Sequence, residues 1–259
     1  MDLDGVIYRG NTLLPGASRF FHFLERHRIS FSLLTNNSTL TRQQYAAKLR
    51  NLGISVGEDS IFTSGQAVAS YLKQAAPKGA GVLVIGEEGL LHPVLEAGFW
   101  LDASRPEFVV VGLDRLLTYE KLATATLAIR RGAKLVAANP DTTFPTEAGL
   151  LPGCGAIVAA LEASTDRKAL VIGKPNPVML LLAMKRIGSS KKETAILGDR
   201  LDTDVLGGKR VGVTTLLVLT GVATRDQLRF ARTLPDMVLE DLDQLMELWE
   251  SALATGDSR

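Results

Sequence analysis

Short apolar runs alternate along this chain with longer segments of helical periodicity. The runs are rich in valine, isoleucine, leucine and threonine, and their length suits buried strands. They span residues 29–35, 60–63, 82–86, 108–112, 134–138, 169–173, 194–198 and 214–220. Strands that alternate with helices are typical of a parallel sheet covered by helices. The pattern therefore predicts an α/β fold.

Several of the predicted helices have recognisable ends. Asn176 followed by Pro177 is typical of a capped helix start, and Gly188 fits the position just after a helix end. Asp241 and Gln244 resemble a capping box ahead of a final helix with an apolar face. These ends support the division into strands and helices.

The number of strands predicts two sheets in two domains. Breaks near residues 75–79 and 167–168 bracket a segment of roughly 90 residues with its own β-α-β runs, and a loop of that length without structure would be exceptional. We predict a core domain over residues 1–76 and 170–259 and an inserted α/β cap domain over residues 77–169. A cap at this place could exclude water from a site and select the substrate.

Composition limits the classes of partner. The chain has 259 residues, of which 46% are hydrophobic and 22% charged, with a formal net charge of +1. This balance gives no reason to expect a nucleic acid or a membrane as partner. Cys154 is the only cysteine, so an intrachain disulfide is excluded. No long apolar run or basic-then-apolar leader is present, and we expect a cytoplasmic protein.

Polar residues that could carry chemistry stand mostly at the ends of apolar runs. In an open parallel sheet, ligands bind outside the carboxyl ends of the strands. The candidates are Asp2, Asp4, Thr35, Asn36, Asn37, Lys174, Asp199 and Asp204.

These residue types suit phosphoryl transfer assisted by Mg²⁺. Asp2, Asp199 and the backbone carbonyl of Asp4 are the expected ligands, because Mg²⁺ prefers oxygen. Asp2 would also attack phosphorus, which gives a covalent intermediate, and Asp4 would protonate the leaving oxygen and then activate water.

Phosphate binding is assigned to a second group of residues. Thr35 and a backbone N–H near Asn36 can donate hydrogen bonds to the phosphoryl oxygens, and Lys174 supplies a cation for the same group. Asp204 would orient the metal or the lysine from outside the ligand set.

Each candidate also has a plain structural reading. Two aspartates beside a glycine are common in turns, and residues 35–37 could be a simple strand-to-helix turn. Lys174 could be a solvated surface lysine. Asp202, in the same acidic loop as Asp199, fits a solvated charge or a local cap. Asn139 and Asp141 could shape a turn around a proline, or they could contact the substrate from the cap.

The chain resembles the haloacid dehalogenase-like superfamily, in its NagD/4-nitrophenylphosphatase branch with the larger α/β cap. Besides the segments above, the resemblance rests on residues 4–10, 14–17, 62–64, 138–141, 144–145, 151–155 and 198–204. It implies a Rossmannoid parallel-sheet core, Mg²⁺ as cofactor and hydrolysis of small phosphomonoesters. Residue by residue it implies the roles given above, and Asn36 and Asn37 match the Thr-Asn-Asn pattern of the branch.

Two other functions stay open beside the phosphatase. A phosphotransferase or mutase would use the same covalent intermediate, and a catalytically silent relative would only bind a phosphometabolite. A dehalogenase is disfavoured because its leaving group needs no proton from Asp4. The substrate is left open among phosphosugars, phosphoglycolate, nucleoside monophosphates and similar esters.

Two further expectations concern the chain start and the assembly. In the family, the nucleophile ends a central strand, yet only Met1 precedes Asp2. We expect either that the natural chain starts earlier or that its first strand is lost. A gap of about 10 Å would then separate the neighbouring strands. The oligomeric state is left open: relatives often pair through the cap, and in a homodimer residues 109–111 and Leu113 would be the predicted pairing edge.

Overall fold

The computed structural model describes residues 1–77, 79–146 and 149–255, and for residues 144–146 and 254–255 it describes the backbone alone. Short strands alternate with helices through most of the described chain. The order is β1 Tyr8–Arg9, β2 Thr12–Leu13, α1 Ala17–Arg26, β3 Leu33–Thr35, α2 Arg42–Asn51, β4 Ile61–Thr63, α3 Ser64–Ala75, β5 Gly81–Ile85, α4 Glu88–Glu96, β6 Trp100–Leu101, β7 Phe108–Val111, α5 Tyr119–Arg130, β8 Lys134–Ala137, β9 Thr143–Thr146, β10 Gly149–Pro152, α6 Cys154–Thr165, β11 Leu170–Val171, α7 Pro177–Ile187, β12 Ala195–Gly198, α8 Leu206–Val211, β13 Thr214–Val218, α9 Arg225–Phe230, β14 Met237–Leu239 and α10 Leu242–Thr255.

The α/β fold with parallel sheets is confirmed. Every predicted run contains a strand, and the predicted helix ends are present. Asn176 accepts a hydrogen bond from the Val178 N–H at 3.0 Å, and Asp241 accepts one from the Gln244 N–H at 3.0 Å. Gly188 adopts a positive φ of 69° just after α7, a conformation that favours glycine.

The chain divides into two units. The first contains Met1–Leu34, Ala46–Ser60 and Leu180–Arg259, and the second contains Thr35–Tyr45 and Ile61–Met179. The predicted cap, residues 77–169, falls inside the second unit, while the predicted core has residues in both. The boundaries of the two domains stay a prediction.

The first unit is built on parallel strands that end beside the chain start. β12, β13 and β14 pair in that order, all parallel. Met1 lies between two strands, because its ammonium donates to the Ser32 carbonyl at 2.8 Å and its own carbonyl accepts from the Leu34 N–H at 2.7 Å. The Asp2 N–H donates to the Leu197 carbonyl at 2.8 Å. Met1 and Asp2 therefore bridge β3 and β12 at the ends of those strands.

A cavity of about 460 Å³ lies in the first unit beside Met1. Its walls include residues 29–32, which precede β3, and residues 193–197, which include the start of β12. Side chains of α1, the later part of α7 and α10 complete the lining, among them Phe20, Met184 and Trp249. Of the predicted run 29–35, only residues 33–35 form a strand. The shortened strand and the cavity thus occupy the same place in the fold.

The second unit contains a five-stranded parallel sheet with the order β11-β8-β7-β5-β6 and an antiparallel hairpin of β9 and β10. Its core includes Ile85, Val109, Leu135 and Leu161, which are buried between the sheet and helices α5 and α6. β7 lies between β5 and β8, and residues 108–111 are buried. The prediction of a pairing edge at residues 109–111 is therefore wrong, because both sides of that strand are already paired. The homodimer itself stays a prediction.

In the described part of the chain, no helix combines the length and the apolar character needed to cross a membrane.

Candidate functional site

Three buried carboxylates come together in the first unit. Asp2, Asp199 and Asp204 each place an oxygen so that the three atoms lie within 4.8 Å of one another. Their exposed fractions are 8%, 1% and 0%. Like charges this close in a buried place repel each other strongly unless a cation or protons offset them.

Asp199 is held by the loop that follows β13. Its Oδ2 accepts from the Val222 N–H at 2.7 Å, and its carbonyl accepts from the Ala223 N–H at 2.9 Å. A Cβ on Gly221 would lie 1.9 Å from Asp199 Oδ2, and a Cβ on Gly5 would lie 2.3 Å from the same oxygen. Two glycines therefore leave the space that this carboxylate occupies.

Asp204 belongs to a turn of π-helix over Leu201–Val205. The N–H groups of Asp204 and Val205 both donate to the Arg200 carbonyl, at 3.2 and 3.1 Å. A Cβ on Gly198 would lie 2.2 Å from Asp204 Cβ. The turn thus packs Asp204 tightly against the end of β12, next to Asp199.

The donor set fits a hard divalent cation. Three carboxylates supply only oxygen, which Mg²⁺ prefers, and three negative charges can offset its charge. The sequence placed Asp2, Asp199 and the Asp4 carbonyl in the ligand set and Asp204 outside it. The geometry brings Asp204 as close as the other two carboxylates, and the assignment of ligands stays a prediction.

The Asp4 side chain is not one of these three carboxylates, and its described contacts are with Tyr8 and Lys48. The Tyr8 hydroxyl donates to Asp4 Oδ2 at 3.4 Å, and Lys48 Nζ stands 3.8 Å from the centroid of the Tyr8 ring. Burial lowers the pKa of Lys48, and the negative charge of Asp4 acts in the opposite direction. Asp4 is partly exposed, which suits a group that exchanges protons with a substrate or with water.

Thr35, Asn36 and Asn37 form the first part of the second unit. Thr35 is buried, and its hydroxyl oxygen accepts from the Asn37 N–H at 3.1 Å. The Asn37 side chain accepts from the N–H and from the hydroxyl of Thr39, at 2.9 and 2.8 Å. Asn37 therefore shapes the turn through its side-chain oxygen, whereas the Thr35 hydroxyl keeps a proton that it can donate.

Asn36 holds the backbone of Lys174. Asn36 Nδ2 donates to the Lys174 carbonyl at 2.9 Å, and Asn36 Oδ1 accepts from the Lys174 N–H at 2.8 Å. Lys174 is 2% exposed, so it is not a solvated surface lysine. A Cβ on Gly173 would lie 2.6 Å from Asn36 Oδ1. The glycine before Lys174 therefore permits this close approach.

Asn139 and Asp141 also meet Asn36. Asn139 Nδ2 donates to the Asn36 carbonyl at 2.6 Å, and the Ser64 hydroxyl donates to the same carbonyl at 2.5 Å. Asn139 Oδ1 accepts from the Asp141 N–H at 3.1 Å, and Asp141 Oδ2 lies 3.4 Å from Asn36 Nδ2. The pair shapes its own turn and is joined to the residue that holds Lys174. Direct contact of either residue with a substrate stays a prediction.

Asp202 follows its plain structural reading, and Cys154 has no part in the candidate site. Arg200 donates to both carboxylate oxygens of Asp202, at 3.1 and 2.9 Å, and the Asp202 side chain is 68% exposed. Cys154 is buried in the core of the second unit, and burial raises the pKa of its thiol to about 12. Asp202 is a local surface charge, and Cys154 is a packing residue.

Sequence reasoning missed Lys48, Tyr8 as a partner of Asp4, and Ser64. Tyr8 lies in a motif that was noted only for its resemblance to a family. Ser64 likewise lies in a motif, residues 62–64, that was noted only for this resemblance. Lys48 is distant in sequence from the residues it contacts, and no local pattern marks it.

Comparisons with known proteins give consistent matches. The family model described as haloacid dehalogenase-like hydrolase matches residues 1–100, and a HAD-hydrolase-like model matches residues 171–245. The dihydroxyacetone phosphatase of Corynebacterium glutamicum (strain R) is 36% identical over 255 residues, which is 98% of this chain and 92% of that protein.

Solved structures match over similar lengths. The 4-nitrophenylphosphatase of Thermotoga maritima has a TM-score of 0.91 at 39% identity, with 95% of this chain and 94% of that chain covered. NagD of E. coli K-12 has a TM-score of 0.87 at 33% identity, with 93% and 94% covered. The glycerol phosphate phosphatase of Mycobacterium tuberculosis, solved in complex with magnesium, has a TM-score of 0.89 at 37% identity, with 94% and 74% covered.

Proposed function

Because the chain belongs to the haloacid dehalogenase-like hydrolases, in the branch of NagD and 4-nitrophenylphosphatase, and is a phosphoric monoester hydrolase, we propose that it hydrolyses small phosphomonoesters with Mg²⁺ as cofactor and Asp2 as nucleophile. The observation that carries the proposal is the group of three buried carboxylates, Asp2, Asp199 and Asp204.

Asp2 and Asp199, with the Asp4 carbonyl, would hold the metal. When bound, Mg²⁺ supplies positive charge that offsets the charge of the phosphoryl group. Asp204, at the same cluster, would orient the metal ligands. The magnesium complex of the M. tuberculosis relative supports this choice of cation.

In the first step, an oxygen of Asp2 attacks phosphorus and the bond from phosphorus to the leaving oxygen breaks. Asp4 gives its proton to that oxygen, so an alcohol leaves. In the second step, Asp4 takes a proton from water as the water oxygen attacks phosphorus. The bond between Asp2 and phosphorus then breaks, and inorganic phosphate leaves. In this proposal Thr35 and Lys174 bind the phosphoryl oxygens, and Asn36 keeps the Lys174 backbone in place.

The names of the relatives support a small, polar leaving alcohol. One acts on dihydroxyacetone phosphate and another on glycerol phosphate, as their names state. We propose phosphates of short polyols and sugars as the first substrates to test, with phosphoglycolate and nucleoside monophosphates next. The reaction is proposed for the cytoplasm, where a single cysteine stays reduced.

The test is release of 4-nitrophenol and phosphate from 4-nitrophenyl phosphate by the purified protein with Mg²⁺. We expect EDTA to abolish turnover and Asp2→Asn to lower it at least about 10³-fold. Asp202→Asn is the matched control, since it makes the same change at an exposed aspartate near the cluster and should retain activity. An active Asp2→Asn enzyme would refute the proposed nucleophile.

The alternative functions give different results in the same assay. A phosphotransferase would move the phosphoryl group to an added alcohol, such as glycerol, in preference to water. A silent relative would bind a phosphate ester and stay folded, but it would release no phosphate.

A further inference from the structure

The surroundings of Asp4 contain two side chains that the mechanism above does not use. Tyr8 is fully buried and donates its hydroxyl hydrogen to Asp4 Oδ2 at 3.4 Å. Lys48, from α2, places its ammonium 3.8 Å from the centroid of the Tyr8 ring. All three residues belong to the first unit.

Backbone hydrogen bonds fix Tyr8 relative to Asp4. The Gly5 N–H donates to the Tyr8 carbonyl at 2.8 Å, and the Tyr8 N–H donates to the Leu3 carbonyl at 3.3 Å. The chain therefore turns back on itself between Asp4 and Tyr8. The turn holds the Tyr8 backbone near Asp4, and complete burial of the side chain restricts the ring.

Lys48 adds a positive charge to the same place. Its side chain is half-buried, and the Asp4 carboxylate acts electrostatically on its ammonium. An ammonium over an aromatic face is attracted by the negative face of the ring. The ring of Tyr8 thus orients Lys48, while its hydroxyl contacts Asp4.

We propose that Tyr8 and Lys48 are positioning residues that fix the carboxyl group of Asp4 for proton transfer to the leaving oxygen. This inference rests on the proposed function. The Tyr8 hydroxyl holds the carboxyl plane through Oδ2, and Lys48 holds the Tyr8 ring from its face. In this role both residues act through Asp4.

The predicted fall in kcat/KM of the variants depends on the leaving group of the substrate. A nitrophenolate leaves without a proton, whereas an alkoxide must be protonated as it leaves. The ratio kcat/KM includes only the steps up to departure of the alcohol, so it isolates this first proton transfer. Loss of positioning should therefore lower kcat/KM more as the leaving oxygen becomes more basic.

The experiment compares 4-nitrophenyl phosphate, phenyl phosphate and glycerol phosphate as substrates for wild type, Tyr8→Phe and Lys48→Met. We expect kcat/KM to fall by less than about 2-fold on the nitrophenyl ester and by about 10-fold on glycerol phosphate. In an Asp4→Asn background, Tyr8→Phe should have no further effect, because the group it orients can no longer donate the proton.

Matched controls make the same chemical changes elsewhere. Tyr119→Phe alters an exposed tyrosine, and Lys134→Met removes an ammonium 5.4 Å from the Phe108 ring centroid. Both should behave as wild type on all three substrates. Lys48→Met serves as the second variant if Tyr8→Phe does not fold, which circular dichroism would reveal.

The outcomes separate the two hypotheses. An equal fall on all three substrates, or no fall, in folded variants of an active enzyme overturns the positioning role and leaves the phosphatase intact. Absence of turnover by the wild type on every substrate overturns the proposed function and this inference together.

Discussion

An apolar extension before Met1 is expected to stabilise the protein by filling the cavity beside that residue. Residues 29–32 run along one wall of the cavity, so four added residues match its length, at about 3.3 Å per residue in a strand. An extension with Val and Leu at its positions suits the apolar lining. After extension, Met1 would have an ordinary N–H that can still donate to the Ser32 carbonyl.

The size of the effect follows from the apolar side chains that the extension would bury. Full burial of four Val and Leu side chains would contribute about 1.5–3 kcal/mol each, or about 12 kcal/mol as an upper limit. Ordering four residues costs about 1.5 kcal/mol each, or about 6 kcal/mol. The net gain is therefore at most about 6 kcal/mol, which for a chain of this size raises the melting temperature by up to about 12–24 °C.

Thermal and urea unfolding of three proteins would measure this gain: the present chain, the chain with the apolar extension, and a chain with an extension of equal length made of Gly and Ser. We expect only the apolar extension to raise the melting temperature and the free energy of unfolding. Turnover should rise with it, since Met1 and Asp2 are held by the same strands. Equal melting temperatures in all three proteins would show that the cavity does not accept a strand.

Two further predictions concern buried polar groups. Asn36→Ala removes both side-chain hydrogen bonds to the Lys174 backbone, so urea unfolding should show a loss of about 2–4 kcal/mol, together with lower turnover. Asn51→Ala, at the exposed end of α2, is the control, and a loss of under about 0.5 kcal/mol at Asn36 would contradict this assignment. Cys154, with a thiol pKa of about 12, should resist thiol reagents at pH 8 in the folded protein and react after unfolding. Because this pKa is raised by folding, the thiol contributes stability below about pH 9 that is lost as the pH rises toward 12. Rapid labelling of the folded protein would refute the burial of the thiol.

The sequence predicted strands and caps well where the signal is local. Asn176 and Asp241 accept the hydrogen bonds that their types and positions indicated. The prediction of a pairing edge at residues 109–111 was wrong because it depends on information that is not local. A continuous apolar run identifies a buried strand, but the order of strands in a sheet is decided by contacts distant in sequence. The edge strand β6 and the hairpin of β9 and β10 were missed, because all three strands are short and the residues of β6 and β10 are exposed.

The candidate site shows the same division between local and distant information. Asp2 and Asp199 could be identified because each lies in a recognisable motif, and Asp199 also follows a strand, β12. Lys48 could not, because it lies on a helix with no motif, and only the packing of that helix brings it to Tyr8.

Asn36 shows why the role of a side chain was harder to predict than its membership of the site. The sequence marked it for phosphate binding, yet its amide is engaged by the Lys174 backbone and its carbonyl by Ser64 and Asn139. These partners are 138, 28 and 103 residues away in the chain. A buried amide must satisfy its donors and acceptors, and here it does so by joining three distant segments. Asn36 therefore contributes to the site mainly by fixing where Lys174 lies, and substitutions at Asn36 should affect stability and turnover together.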